Sequence, residues 1–530
     1  MPQFNALVGP SYQLSSVRAD CESSICCWRE KIESGQGDND YVLRKSAGTE
    51  IYISGLPPVG HRGAFELNGH LFMVVGETLY DYMGKTQIAA YSGVLGTDPV
   101  AMAASFSTLM IVANGQLFRL SGGTLTNLGV TFVPVGVSFI SNYFVCGTTN
   151  ASQGRWSEDD GATWPEDLVF TVEDNANALV GQAAVNGQLY LIGNRTTKPF
   201  YVGSNPNNVF QAVDNVLIPA GTFSAASVVE QDGQIYMLSQ MAGGKKGVYR
   251  ISGYSLEKVS NYFVDDAIEA MDTITDAVGQ PYELAGHGFY RITFPTEQRT
   301  FELHIDNMEW SEVPWWNPAT SQYEAHRAQW IVSHLGNVLC GDRGNGLVYR
   351  MSFDIAHDAG FQIRWERTAP YVVNGRKPVG FGALFLGMET GVGLVTPLWL
   401  NDHRLQPTDF ATALAAAVSG ATVTADQALV IQAIYDYTPY TPLDPYPDKD
   451  TMASLGFYVW GRDPVITLEL SDDFGKTFRS AGSRSIGRSG EAQVQVHWDG
   501  LGSSTGRVFR VWGDDPVPYN IVSAELENTR

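Results

Sequence analysis

The sequence predicts an all-β protein, a β-propeller with a β-sandwich platform domain and a small mixed insertion. Three observations predict it. A glycine-led phrase recurs along the first two thirds of the chain. The composition favours strands and turns. Alternating apolar and polar residues return after residue 463, beyond a stretch of different composition.

The repeat is clearest at HRGAFELNGHLFMVVGETLYDY, which starts at His61. Asn68-Gly69 suits a two-residue primed turn, because both residues tolerate positive φ. Leu71 to Val75 is a short apolar run, and Gly76-Glu77 breaks it before Leu79, Tyr80 and Tyr82. Glycine bounds the run at both ends, so it reads as a strand buried on both faces. The phrase returns as NGQLFRL from Asn114, NGQLYLIG from Asn186 and DGQIYMLS from Asp232. Looser copies, GHGFYRITF and GNVLCGD, begin at Gly286 and Gly336. The leading glycines 69, 115, 187, 233, 286 and 336 lie 46, 72, 46, 53 and 50 residues apart. That is the spacing of propeller blades, and the intervals allow about five to seven of them, one within the 72-residue gap. A lone four-stranded sheet cannot cover its own apolar faces, but a closed ring of them can.

At 530 residues the chain can bury several cores. Hydrophobic residues are 44% and charged residues 17%, which excludes a disordered chain. The 55 glycines and 25 prolines, with 24 Tyr and 25 Phe, favour strands and turns over helices. No apolar run reaches the roughly 20 residues of a membrane span. The first residues lack a basic stretch followed by an apolar core, so no signal peptide is expected. Cys21, Cys26, Cys27, Cys146 and Cys340 are an odd number and read as reduced thiols. The first three cluster, but without the paired spacing or nearby histidines of a zinc site, so no metal is expected. No cofactor is expected either, since no P-loop, dinucleotide fingerprint, nucleophile elbow or H-E-x-x-H occurs. The net charge of −22 opposes gripping DNA, which requires Lys and Arg on phosphates.

Taken in order, residues 1–50 are a lead-in that can join the platform. Residues 51–351 carry the repeats. Within them SEDDGATW, Ser157 to Trp164, fits an Asp-box turn. There Asp159 accepts backbone N–H groups, Gly161 permits the left-handed bend and Trp164 packs beneath. SDDFGKTF repeats the pattern with Asp473, Gly475 and Phe478. Such turns stabilise folds and do not line active sites. Asp265, Asp266, Glu269 and Asp272 fall on one face of a short helix, an acidic solvated face. Residues 352–393 and 463–530 form the sandwich platform. Residues 394–462 are the insertion, with helix-prone stretches at 410–418 and 425–435 and a Pro-rich loop at 438–450.

A series of short phrases keeps a fixed order along about 450 residues. It opens with Pro57-Pro58-Val59-Gly60-His61-Arg62-Gly63 and the first hairpin. Asp276-Ala277, Gly286-His287, Phe289-Tyr290 and Phe294-Pro295 follow. Then come Gly341-Asp342, RWERTAP from Arg364, METGVG from Met388, the turn at Ser471 and Arg507-Val508-Phe509-Arg510. In this order the chain resembles the tail nozzle (tail tube, or packaged-DNA stabilisation) proteins of short-tailed bacteriophages, the podoviruses. The long insertion after Gly393 and the cysteine-rich start depart from that pattern.

The resemblance implies a structural virion protein and no enzyme. It implies a ring of about six copies, a hexamer, below the head-to-tail adaptor protein. Other partners would be a tail fibre or spike and a needle or plug protein. Double-stranded DNA would be retained by the ring and conducted through it during genome ejection, without specific binding. The location would be the virion tail, after assembly in the host cytoplasm. Gly243, Gly244 and Lys245, with Pro442, Pro445 and Pro447, are candidate gate loops, against plain surface loops. Two other readings stay open. One is a propeller-type interaction module binding host or virion proteins, which a six-fold ring would discriminate against. The other is a sialidase-like glycosidase, for which Arg62 is present but the Phe-Arg-Ile-Pro phrase is not.

Overall fold

Seven two-residue turns set the architecture of the first unit. The computed structural model describes residues 4–13, 21–34, 39–149, 152–172, 178–205, 208–241, 244–373, 377–401 and 405–529. In it Asn68-Gly69, Asn114-Gly115, Ser141-Asn142, Asn186-Gly187, Asp232-Gly233, Ala285-Gly286 and Leu335-Gly336 hold positive φ at both residues. That is the backbone of a type I′ hairpin, whose twist matches its flanking strands. Each turn closes a tight pair, such as Leu67↔His70, Ile140↔Tyr143 and Val185↔Gln188.

Around these turns lie seven sheets, a seven-bladed β-propeller. They span 61–92, 101–127, 138–171, 179–212, 220–258, 278–304 and 328–352. The seventh takes its last strand, Gly48–Ile53, from the chain before the first blade. The unit comprises Tyr52–Met308 and Ala325–Tyr349. Residues Glu309–Glu324, inside the span read as propeller, group with the second unit.

The 72-residue gap holds the third blade, whose hairpin is Ser141-Asn142 and so lacks the glycine phrase. Asn114-Gly115 joins the second and third strands of its blade, one strand later than the corresponding turn of the first blade, which lengthens the interval from Gly69 and shortens the one to Gly187. Neighbouring blades share apolar cores. Val74 and Leu79 pack with Leu109 and Ile111, and Trp156 packs with Leu189 and Phe200. Leu71, Met73 and Val75 of the first blade share a core with Trp330, Leu339 and Val348 of the last, which closes the ring. At Gly187, φ is 74° and an added Cβ would meet nothing within 4 Å. Gly187→Ala should therefore cost only the left-handed backbone, about 1–2 kcal/mol, read as a lower urea midpoint. No change in the midpoint would contradict the turn type.

The second unit comprises residues 1–51, 309–324 and 350–530. It is a two-sheet sandwich. One sheet runs Cys27–Lys31, Tyr41–Lys45, Asn520–Thr529, Val379–Met388, Val496–Ser504. The other includes Cys21–Ile25, Trp365–Thr368, Gly506–Gly513, Val465–Ser471 and Arg479–Ser485. Period-two alternation points Ile466, Leu468 and Leu470 into a core with Leu384, Trp498, Phe509 and Val511. The N-terminal cysteines belong to this sandwich. Cys21, Cys26 and Cys27 are all buried, and their thiols donate to the carbonyls of Ala369, Pro314 and Glu366. Burial pushes the Cys27 thiol up to about 12, so it sits in the core as a neutral side chain.

The insertion contains helices Pro407–Ser419 and Ala425–Tyr435 beside the hairpin Leu398–Asn401 and Phe457–Trp460. Thr424 and Gln427 form a capping box at the second helix. Phe410 and Tyr435 stack with ring centroids 3.8 Å apart, which locks the two helices together. Among the described residues no helix is long and apolar enough to cross a membrane.

Candidate functional site

The inner strands of all seven blades converge on the propeller axis. Convergence crowds the backbone at two glycines. A Cβ on Gly63 would lie 2.7 Å from Val100, and one on Gly279 would lie 2.7 Å from the Ser227 carbonyl. What remains is an axial cavity of about 800 Å³. Several of its polar groups bond within the ring. Arg62 donates to the carbonyl oxygens of Gly76, Val94, Leu95 and Asp98 at 2.7–3.3 Å. Gln182 accepts from Gly147 N–H and donates to Ser138 Oγ and Val145 O of the preceding blade. Gln280 donates to Ala328 O of the next blade at 2.7 Å. These groups tie blades together and do not present charge to a ligand. The sequence reading singled out Arg62 but passed over the glutamines. Their signal is a polar residue five to seven positions before the hairpin glycine, at Arg62, Gln182, Gln280 and Gln329.

The two Asp-box turns form as the sequence reads. In the third blade, Asp159 accepts from Ser157 Oγ at 2.7 Å, Thr163 N at 2.8 Å and Thr163 Oγ1 at 2.6 Å. Gly161 holds φ of 78°, and Trp164 Nε1 donates to its carbonyl. Burial opposes the Asp159 charge, but the bonds from Thr163 and Ser157 outweigh it and hold its carboxyl below the usual range. Asp159→Ala should cost about 1 kcal/mol, measured as a shift in urea midpoint. In the sandwich, Asp473 accepts from Ser471, Lys476 and Thr477. Gly475 holds φ of 83°, and the Arg510 guanidinium lies 3.7 Å over the Phe478 ring.

The candidate gate residues fall in different settings. Gly243 lies outside the described residues. Gly244 and Lys245 are exposed at the tip of the hairpin joining Gln234–Met241 and Lys246–Ser252 in the fifth blade. The Pro-rich loop is anchored both to the rest of the insertion and to residues 360–361. Tyr440 is buried against Phe361 and donates to Gly360 O at 2.8 Å. Pro447 is buried, Pro442 half-buried and Pro445 exposed, and Gln427 donates to the Pro445 carbonyl. The acidic stretch is the helix Tyr262–Glu269, capped by Asn261. Its Asp265 accepts from Ser260 and pairs with Lys258, and Glu269 pairs with Lys246. Trp330 sits in the seventh-blade core against His61, while Trp316 packs on Tyr323 in the second unit.

A model of the phage stabilisation family, described as Bacteriophage P22 Gp10, beta-propeller, matches residues 31–356. That is more than half of the chain. The chain belongs to this family. It is a phage tail protein built on a β-propeller, as the nozzle resemblance implied. No curated protein matches the chain. Among solved structures, the extracellular domain of the one-component system BT4673 from B. thetaiotaomicron is similar at 9% identity and a TM-score of 0.39. That match covers 67% of this chain and 46% of the other, so the chain spans less than half of its length. YCF48 from Cyanidioschyzon merolae is similar at 8% identity and a TM-score of 0.36, covering 57% of this chain and 98% of that one.

The P22 Gp10 family match ends at residue 356. The insertion that departs from the nozzle pattern therefore lies wholly beyond the matched span. So do most of the sandwich strands and the second Asp-box.

Proposed function

We propose that this chain forms the tail nozzle of a short-tailed phage. About six copies make a ring below the head-to-tail adaptor, consistent with closed cyclic symmetry. The ring retains packaged DNA and conducts it during ejection, and it catalyses nothing. The observation that carries the reading is the family match over residues 31–356. The charge of −22 supports it, since acidic walls avoid tight phosphate contacts and let a duplex slide.

The axial cavity bears on where DNA would run. At about 800 Å³ it has the size of a small-ligand pocket and not of a channel for a duplex. The conducting channel would then lie between copies and not along the propeller axis. The engagement of Arg62 with four backbone carbonyls supports a non-enzymatic role, because a sialidase needs free arginines to clamp a carboxylate. Fibre, spike and plug proteins would bind the assembled ring. The isolated chain would be a monomer or weak oligomer, ordered by the adaptor.

Phage particles assembled without this chain test the proposal. They should package DNA and then lose it, leaving DNase-sensitive genomes and empty heads. Stable, full heads lacking the chain would overturn the retention role.

A further inference from the structure

We propose that His287, His304 and Asp306 form a binding site for a divalent first-row transition ion of the zinc class, at the edge of the sixth blade. The strands explain the cluster. The hairpin turn Ala285-Gly286 sets the register Leu284↔His287 and Phe289↔His304. Carrying that register on, with Ile305 N–H donating to Gly288 O, sets Asp306 opposite His287. Asp306 lies in the turn just past the end of the second strand, and its carboxylate comes back against both imidazoles. One histidine from one strand thus meets a histidine from the next and the carboxylate just beyond it.

The distances fit one ion. His304 Nε2 lies 3.2 Å from His287 Nδ1 and 3.4 Å from Asp306 Oδ2. His287 Nδ1 lies 3.7 Å from the same carboxylate oxygen. Zinc bonds of about 2.0–2.1 Å in a tetrahedron separate donor atoms by about 3.3–3.4 Å. The three donors approximate one face of that tetrahedron. Two imidazoles select zinc-class ions over calcium or magnesium, which take oxygen donors. Phe289 walls the inner side, its ring centroid 5.1 Å from that of His304. His304 is 5% exposed, His287 23% and Asp306 56%, so the ion enters from solvent and water completes its shell. The bound ion cross-links the ends of two strands beside a tight turn.

The test uses the full chain after dialysis against a chelator. Titration with Co²⁺ should give one equivalent of tightly bound ion, with the visible absorption of a four-coordinate nitrogen and oxygen site and no thiolate band. Zn²⁺ should displace it. At a hundredfold excess of Zn²⁺ over its dissociation constant, the melting temperature should rise by roughly 5 °C. His304→Ala should weaken binding by at least about tenfold. Because His304 is buried, His287→Gln and Asp306→Asn, on the accessible side, supply independent variants with the same expected loss. No binding at micromolar metal would overturn the proposal. Undiminished binding in both accessible variants, or a thiolate band, would overturn it too.

Discussion

Replacing Arg291 by methionine is expected to cost the propeller about 3–5 kcal/mol, the largest single loss among its polar side chains. Arg291 and Glu302 face each other across two strands of the sixth blade, with side chains 1% and 3% exposed. Arg291 donates from Nε to Glu302 Oε2 at 2.8 Å, and Tyr282 donates to the same oxygen at 2.6 Å. Burial alone would lower the Arg291 pKa, but Glu302 outweighs it and the guanidinium stays charged. Arg291 also lies 3.1 Å from the ring nitrogens of His326, and with burial it holds that imidazole neutral. Removing the cation leaves a carboxylate in a dry site with only a phenol to serve it. The double variant Arg291→Met, Glu302→Gln removes both charges and should lose less than the single one. A single-variant cost below about 1 kcal/mol, or a double variant worse than the single, would contradict this assignment.

The second large effect is acid sensitivity. His61 in the propeller and His357 in the sandwich are both lowered to about 4, first of all by burial. His357 Nδ1 accepts from Gly360 N–H at 3.2 Å, which requires the unprotonated ring. Unfolded histidines titrate near 6.5, so between pH 6.5 and 4 the unfolded chain binds more protons than the folded one. Stability is then full above about 6.5 and falls as pH drops towards 4. Each histidine contributes about 3 kcal/mol to that loss. Asp515, raised to about 6 by burial, acts in the opposite sense and offsets part of it. His61→Phe and His357→Asn should each flatten the decline in urea midpoint between pH 6.5 and 4. Unchanged pH profiles in both variants would contradict it.

Much of the propeller was legible because its turns carry chemistry. Asn-Gly and Asp-Gly pairs announce positive φ, and that marked Gly69, Gly115, Gly187 and Gly233 directly. The third blade escaped because Ser141-Asn142 makes the same turn without glycine. The second blade misled the spacing because its glycine turn comes one strand late. The outer strand of the last blade was hidden because it comes from Gly48–Ile53, far from its partners in sequence. Asp159 and Asp473 were fully legible, since an Asp-box is a local hydrogen-bond pattern. The cluster of His287, His304 and Asp306 was not, because its members meet only through strand register. The short spacing sought among the cysteines was the wrong signal for it.

The most direct test of the nozzle account is quantitative mass spectrometry of purified virions, with immunogold labelling of the same particles. The account predicts about six copies per particle, all on the tail. Absence of the chain from virions, or label confined to the head, would contradict it.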